Sequence, residues 1–214
     1  MAQKLYISNK DESARLFKSD FLEMFSHVHP SVPLIVYVPV MSYFLYKAYT
    51  LPELTGAAIV GLFLAGMFFW TLTEYLLHRF VFHYEPTSEW GKYLHFMMHG
   101  VHHAYPNDSL RLVMPPVVSV PLAILFYYLF VAVLGAVFTA PFFAGFILGY
   151  MIYDTWHYAS HHFSMKSPRW LWLKQYHMLH HYQDPNTRFG VSSPLWDYVF
   201  GTTASKPSKE PVQA

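Results

Sequence analysis

Four long apolar stretches constrain the fold of this chain more than any other feature of its sequence. They cover residues 34–49, 54–77, 117–138 and 141–152. A helix that crosses a bilayer needs about 20 predominantly apolar residues. The second and third stretches meet this length, while the first and fourth are shorter and fit either a tilted or a re-entrant helix. The sequence therefore predicts an all-α integral membrane protein with about four transmembrane helices.

The connections between these stretches are short. Residues 50–53 join the first stretch to the second, and residues 139–140 join the third to the fourth, so we expect two helical hairpins. Pro52 and Pro141 stand where proline favours the start of a helix. Only 13% of the 214 residues are charged, about half the share of a typical soluble domain, which agrees with a membrane protein.

The basic residues predict an orientation. Of the 14 lysines and arginines, only Lys47 lies at one end of the predicted spans, where it can extend to the membrane interface. All the others lie at the opposite end. Because loops rich in lysine and arginine stay in the cytoplasm, both termini are predicted to be cytoplasmic. No basic stripe suggests a nucleic-acid partner.

The sequence divides into three parts. Residues 1–33 form a polar N-terminal segment, residues 34–203 form the predicted membrane domain with a helical cytosolic cap, and residues 204–214 form a polar tail that we expect to be disordered. The N-terminal segment lacks the apolar core of a secretory signal peptide. It favours a short amphipathic helix on the membrane surface, whose apolar residues are Phe17, Phe21, Leu22 and Phe25.

Ten of the 14 histidines occur in four short clusters beside the second and fourth apolar stretches. They are His78, His83, His99, His102, His103, His157, His161, His177, His180 and His181. Two crossings separate the second cluster from the third, so four spans bring all clusters to one cytoplasmic face. Three or five spans would divide them between the two sides. The histidine pattern and the charge pattern thus predict the same topology.

The number and spacing of these histidines indicate a metal centre. Neutral imidazole is the commonest protein ligand for transition metals, and ten ligands are enough for two ions with about five each. Residues three and four apart share a helix face, so the three histidines within 99–103 point roughly one way, as do the three within 177–181. His78 and His83 are five apart and need an irregular turn near Phe82 to converge.

The residue types narrow the metal. The chain has no cysteine, which excludes iron–sulfur clusters and thiolate-ligated haem. A zinc site usually needs only four ligands. Ten neutral nitrogens therefore favour iron that changes oxidation state, or a pair of ions held rigidly, although zinc can enter imidazole sites when iron is scarce.

Ligating histidines usually donate their second ring N–H to a carboxylate or a carbonyl. The residues predicted to orient the ligands are Glu74, His95, Asp154 and Asp184. The first three each lie one helical turn before a clustered histidine. Asp184 equally fits a turn before Pro185. The remaining histidines, expected outside the ligand set, are His27, His29 and His162.

Several segments around the histidines carry a resemblance to a known family. They are residues 94–103, 111–116, 149–158, 189–190 and 195–198. These segments are similar to the histidine boxes and connecting sequences of the fatty acid hydroxylase superfamily, and within it to the fatty acid and sphingolipid 2-hydroxylases. The resemblance covers roughly residues 74–202.

The resemblance implies a dinuclear centre, with two iron ions in the working enzyme, held by histidines that match the ten above. It implies O2 activation and insertion of one oxygen atom next to the acyl carboxyl carbon of a lipid. Two electrons come from an external donor, a b-type cytochrome or a ferredoxin with its reductase. Only 33 residues precede the first span, so we expect this donor to be a separate protein rather than the fused cytochrome domain of many eukaryotic members.

The expected substrate site is an apolar groove that holds the acyl chain and ends under the metals. No side chain attacks an unactivated alkyl C–H bond, so a metal-centred oxidant is what the chemistry requires. Tyr105, Arg111 and Trp172 are predicted to lie at the interface near the lipid head group. The alternative for each is anchoring in the membrane belt.

Other functions are compatible with the same ligands. One is another lipid oxidation, such as sterol or carotenoid hydroxylation or desaturation, because hydroxylation and desaturation begin with the same hydrogen abstraction. The pair His157 and His161 is atypical of acyl desaturases. A metal transporter and a bis-histidine membrane cytochrome are remote alternatives. A transporter would place ligands near the midplane of its spans, and a cytochrome would show a haem Soret band.

Overall fold

The structure, a computed structural model, describes residues 5–203 and contains helices but no strand in that range. The α-helices are α1 (Asp20–Met24), α2 (Val32–Thr50), α3 (Gly56–Leu77), α4 (Glu89–His95), α5 (Val101–Ala104), α6 (Pro116–His162), α7 (Pro168–Tyr182) and α8 (Leu195–Phe200). Two π-helices, His78–Phe82 and Phe96–Gly100, directly follow α3 and α4. The tail 204–214, expected to be disordered, lies outside the described residues.

Among the described residues 5–203, three helices are long and apolar enough to cross a membrane. They are α2, α3 continued by the first π-helix, and α6. The start of α3 is capped by Thr55, whose hydroxyl accepts the Ala58 N–H (3.2 Å). Pro52 lies in the loop before this cap and not at the helix start that the sequence suggested. The prediction of an all-α membrane fold is confirmed.

The longest helix, α6, breaks at Gly135. As one straight helix its 47 residues would extend about 70 Å, more than twice the roughly 30 Å of bilayer hydrocarbon. Gly135 has φ 76° and ψ 159°, a conformation that is essentially restricted to glycine. The break divides α6 into a first arm (residues 116–134) and a second arm (residues 136–162).

The two arms of α6 pack against each other as a hairpin. The rings of Phe126 and Phe146 lie 5.1 Å apart and those of Phe130 and Phe142 lie 5.0 Å apart, which is the pairing of antiparallel helices. The predicted link at residues 139–140, with Pro141 starting a helix, is therefore wrong. The turn lies earlier because the chain can reverse at a glycine with positive φ, and residues 139–141 are buried inside the second arm.

Glycines allow α3 to pack closely against the second arm of α6. A Cβ atom at Gly66 would collide with the carbonyl of Phe142, and one at Gly145 would collide with the carbonyl of Phe63. Small residues at such contacts let membrane helices approach closely enough for extensive van der Waals packing. This interface places the ends of both helices, which carry clustered histidines, side by side.

The N-terminal segment forms a shorter surface helix than its apolar residues predict, because α1 includes Phe21 and Leu22 but neither Phe17 nor Phe25. Within residues 5–31 only α1 is helical, and the residues before it run along the end of α5 and the loop that follows. The Ile7 N–H donates to the Ala104 carbonyl (2.8 Å), and the Ser13 hydroxyl donates to Asp108 (2.7 Å). The polar groups of this segment thus find partners in the loop instead of within a helix. We call residues 5–26 the N-terminal strap.

Candidate metal centre

The ten clustered histidines meet where α3, α7 and the second arm of α6 end beside α5. They form two groups of five, and within each group one ring nitrogen per residue lies within 4.8 Å of all the others. The first group is His78, His83, His99, His103 and His180, and the second is His102, His157, His161, His177 and His181. The arrangement has the five-plus-five form expected from the number of ligands.

Helix spacing explains why each three-histidine cluster contributes to both groups. On α7, His177 and His181 are four residues apart and join the second group, whereas His180 joins the first. In the cluster at 99–103, the pair four apart joins the first group and the histidine between them joins the second. Successive residues differ by about 100° around the helix axis, so adjacent imidazoles point at two neighbouring sites.

A π-helix brings His78 and His83 together. The His83 N–H donates to the His78 carbonyl (3.1 Å), which is the i→i+5 bond of a π-helix, and the two Nε2 atoms are 3.2 Å apart. In an α-helix, residues five apart would diverge by about 140°. The irregular turn expected near Phe82 is this π-helix, and its wider turn lets both imidazoles face one site.

The Nε2 atoms are spaced as the ligands of common ions would be. Within the groups, the short Nε2–Nε2 distances run from 2.9 Å, between His157 and His102, to 3.2 Å. Two ligands at right angles around an ion, with metal–nitrogen bonds of about 2.1 Å, are about 3.0 Å apart. Neutral imidazoles this close cannot all donate hydrogen bonds to one another. The residues therefore fit two metal ions.

Backbone carbonyls set the tautomer of two ligands. The Nδ1–H of His78 donates to the Phe189 carbonyl and that of His180 donates to the Thr187 carbonyl, both at 2.6 Å. A carbonyl can only accept, so in each ring the proton is on Nδ1 and the Nε2 lone pair faces the centre. This is the form in which imidazole binds a metal.

Burial keeps the histidines outside the spans neutral. It lowers the pKa of His103 to about 3 and also lowers the pKa of His83. The other histidines whose pKa is held well below the ordinary value by burial are His99, His102, His177, His180 and His181. Neighbouring imidazoles lower these pKa values further because a second nearby positive charge is unfavourable. Metal binding therefore displaces no proton from these rings at neutral pH.

Glu74, predicted to bond a ligating imidazole, instead bonds a backbone segment. Its carboxylate accepts the N–H groups of Val191 and Ser192, both at 2.7 Å, and the Ser192 hydroxyl. This segment follows Phe189, whose carbonyl holds His78. Glu74 therefore supports the centre indirectly, through the backbone segment that carries the Phe189 carbonyl.

Asp184 and His95 also bond backbone groups. The Asp184 carboxylate accepts the Asn186 N–H (3.0 Å), which is the turn that the sequence offered as its alternative role. This turn leads to Thr187, whose carbonyl accepts the hydrogen bond from His180. The Nε2 of His95 lies 2.6 Å from the Phe82 carbonyl, so His95 secures the end of the first π-helix and lies outside both histidine groups.

A cavity of about 580 Å³ lies against both histidine groups, which is within the usual size range of ligand pockets. His99 of the first group and His102 and His157 of the second form part of its wall, together with the buried Asp154. Most of the remaining wall is apolar and comes from the strap, the second π-helix and residues 112–118. A long apolar molecule in this cavity would lie directly beside the ligands of both sites.

Arg111, predicted to lie near a lipid head group, is occupied by protein groups. It lines the cavity, but its side chain is only 3% exposed and donates to Glu23 Oε1 (2.5 Å) and to the Ala14 carbonyl. Asp108 lies 3.6 Å from the same guanidinium. Arg111, which lies in the loop after α5, therefore holds the N-terminal strap against this loop.

The other two predicted interface residues lie outside the cavity wall. Trp172 is 46% exposed and stacks on Tyr176, which suits membrane anchoring. Tyr105 ends α5, and its N–H donates to the Val101 carbonyl (2.8 Å). The three histidines expected outside the ligand set, His27, His29 and His162, belong to neither group.

A family profile matches the part of the chain that builds this centre. The fatty acid hydroxylase profile covers residues 63–202, which include all ten clustered histidines. The chain belongs to the fatty acid hydroxylase family. The resemblance drawn from the histidine motifs and their connecting segments is confirmed. With its apolar helices, the protein is a membrane hydroxylase.

The similarity to known proteins extends beyond the residues of the family profile and covers most of this chain. The dihydroceramide fatty acyl 2-hydroxylase FAH1 of Arabidopsis thaliana is 39% identical over 206 residues, covering 93% of this chain and 84% of the relative. The fatty acid 2-hydroxylase of Mus musculus is 38% identical, covering 88% of this chain and 56% of the relative. A solved structure of full-length scs7p, in which only the hydroxylase domain is visible, has a TM-score of 0.81 and 40% identity, covering 89% of this chain and 73% of that one.

Two buried carboxylates of this hydroxylase were missed by the sequence analysis. Asp197 is fully buried and accepts the N–H groups of Phe189 (2.9 Å) and Gly190 (2.8 Å), so it holds the same backbone segment as Glu74. Its position within residues 195–198, which carry the family resemblance, was an available signal. Glu23 carried no such signal in the sequence, because its partner Arg111 is 88 residues away.

Proposed function

We propose that this enzyme hydroxylates a lipid acyl chain, on a fatty acid or a ceramide, at the carbon next to the acyl carbonyl carbon. The observation that carries the proposal is the cavity wall, where His99, His102 and His157 from both groups face a largely apolar space. The names of the relatives, fatty acid 2-hydroxylase and dihydroceramide fatty acyl 2-hydroxylase, support this position on the chain.

The ten histidines would hold two iron ions. When bound and supplied with O2 and two electrons, the metals provide the oxidant that an unactivated C–H bond requires. The protein presents neutral Nε2 lone pairs, and the carbonyls of Phe189 and Thr187 keep two of the rings in that tautomer. The apolar wall excludes water from the reacting carbon. How far the acyl chain enters the cavity decides which carbon lies beside the histidines.

We further propose four membrane crossings, formed by α2, α3 and the two arms of α6, within a membrane domain of residues 34–203. The hairpin at Gly135 supports two crossings by α6. The distribution of lysine and arginine supports a cytoplasmic location for the termini and for the metal centre. An external electron donor, a b-type cytochrome or a ferredoxin with its reductase, would then dock from the cytoplasm.

Lipid mass spectrometry of a host that expresses the chain tests the proposed reaction. We expect a gain of one oxygen atom next to the acyl carbonyl carbon. The gain should be lost in His103→Ala, which removes a ligand, and kept in His29→Ala, a matched variant on the protein surface outside both groups. A new double bond, or oxygen at another position, would reject 2-hydroxylation.

A further inference from the structure

The cavity has a buried floor and an exposed rim of different chemistry. Its floor includes three histidines that are each less than a tenth exposed. Among the residues that line it, those exposed on the protein surface are Leu22, Phe25, Met98, Val117 and Val118. All five are apolar. A mouth that opened to water would be expected to carry polar side chains, whereas an exposed apolar rim indicates a lipid environment.

The helix that supplies part of this rim is inverted relative to a water-exposed helix. In α1 the buried residue is the charged Glu23, while Phe21 and Met24 are 66% and 62% exposed. Glu23 is paired with Arg111 (2.5 Å) and accepts the Phe17 N–H (2.7 Å), so its burial is compensated. The other charged residue of α1, Asp20, is exposed, and exposed apolar side chains beside an exposed charge are the arrangement that a membrane interface favours.

The rim also continues into the face of a spanning helix. Val117 lies in the first turn of α6, and Ile124 and Tyr128 lie on the same side of the first arm, at i+7 and i+11. Both are more than half exposed. The mouth therefore opens where the membrane-facing side of α6 begins.

We propose that the cavity is entered sideways from the bilayer, through a lipid portal whose lip is α1 lying in the membrane interface. The proposal rests on the proposed function in assuming that the cavity receives an acyl chain. The occupant of the mouth is a membrane lipid. The pairing of Glu23 with Arg111 holds the strap, and with it α1, in place. The portal lies between α1 and the start of α6, since both supply residues of the rim.

The chain has no cysteine, so single cysteines can be labelled without background. Leu22→Cys and Val118→Cys place a thiol on the rim, and Tyr128→Cys places one on the same membrane-facing helix side but outside the cavity wall. Each full-length variant is reconstituted in phosphatidylcholine vesicles containing a lipid with a diazirine on its acyl chain. Cross-links to the buried cavity residues Leu112 and Val113 are then mapped by mass spectrometry, before and after modification with a methyl thiosulfonate or with pyrene maleimide.

We expect pyrene at either rim position to reduce these cavity cross-links by about tenfold or more, because it fills the mouth of the pocket. The small methylthio group at the rim and pyrene at position 128 should change them less than about twofold. Unchanged cross-links in fully labelled rim variants would overturn the portal, as would a wild-type protein without cavity cross-links. Pyrene excimer emission from the labelled rim would show a second copy of the chain on the mouth and would also overturn it.

The cavity cross-links report the binding of a lipid and do not depend on turnover. If rim labels block the cavity while the wild-type protein adds oxygen to no acyl chain, the portal stands and the proposed reaction fails. Spin labels test the lip separately. A label at Met24→Cys should collide more with membrane-dissolved O2, relative to a water-soluble nickel complex, than one at Glu12→Cys in the strap, and equal ratios would contradict a lip in the interface.

Discussion

Glu74→Ala is predicted to weaken metal binding by the first histidine group although Glu74 is no ligand. The carboxylate is 3% exposed and accepts the Val191 and Ser192 N–H groups at 2.7 Å. A buried N–H left without an acceptor costs about 1–3 kcal/mol, so losing both costs about 2–6 kcal/mol. The bond from His78 to the Phe189 carbonyl contributes only about 1 kcal/mol. The segment should therefore move and release His78.

The assay is metal content after dialysis against increasing concentrations of a chelator. Loss of the partner that orients a ligating histidine lowers metal affinity by about 10–100-fold. We expect the wild-type protein to retain about two ions per chain, as the ten-ligand count predicts. Over an intermediate range of chelator, Glu74→Ala should retain only the ion of the second group.

Glu74→Gln is the matched control. Its amide oxygen can still accept both N–H groups, so it should keep both ions over the same range. Two equally retained ions in Glu74→Ala would show that the bonds to Val191 and Ser192 do not hold His78 in place. Equal losses in both variants would show that the charge of Glu74, and not its hydrogen bonds, matters.

Three further predictions concern packing and the strap. Gly145→Ala should lower the free energy of unfolding by about 1–3 kcal/mol through overpacking, which a denaturation midpoint equal to wild type would contradict. Gly135→Ala should also lower the free energy of unfolding by about 1–3 kcal/mol. The loss would come from the backbone conformation alone, because a Cβ at position 135 would meet nothing within 4 Å. Gly61→Ala is the control, since this position is equally unobstructed but lies in a regular helix, and it should not lower the free energy of unfolding. Burial raises the pKa of Glu23, but strap amides and the Arg111 guanidinium outweigh it and hold this pKa below its ordinary value. The strap should therefore stay attached above the ordinary glutamate pKa of about 4.3 and detach as the pH falls below that value. Hydrogen exchange of the strap amides measures the detachment. Exchange rates that show no additional increase at acid pH would contradict this prediction.

The convergence of the ten histidines in two groups could be predicted largely from sequence because its signals are local. Helical spacing aligns histidines three and four residues apart, and the number of spans decides on which side the clusters meet. The division of each three-histidine cluster between two groups also follows from spacing. The form of the turn at His78 was not predictable in detail, because a π-helix is stabilised by tertiary contacts such as the bond from His95 to the Phe82 carbonyl.

The parts that could not be predicted depend on contacts between distant residues. The strap is held by Glu23 and Arg111, and neither the apolar pattern of residues 17–25 nor their charges reveals that Glu23 is buried. Glu74 was singled out for its position one turn before His78, but its partners are backbone amides from the other end of the chain. The turn in α6 was misplaced because Pro141 is a familiar helix-start signal, whereas Gly135 acts through a backbone angle.

We propose that the two histidine groups direct oxygen to the acyl carbon next to the carbonyl. The most direct measurement supplies purified protein, loaded with iron and given an electron donor, with an acyl lipid under ¹⁸O2. Mass spectrometry of the product should show one ¹⁸O atom, located by fragmentation on that carbon. A product without ¹⁸O, with ¹⁸O on a more distant carbon, or with only a new double bond would contradict the claim.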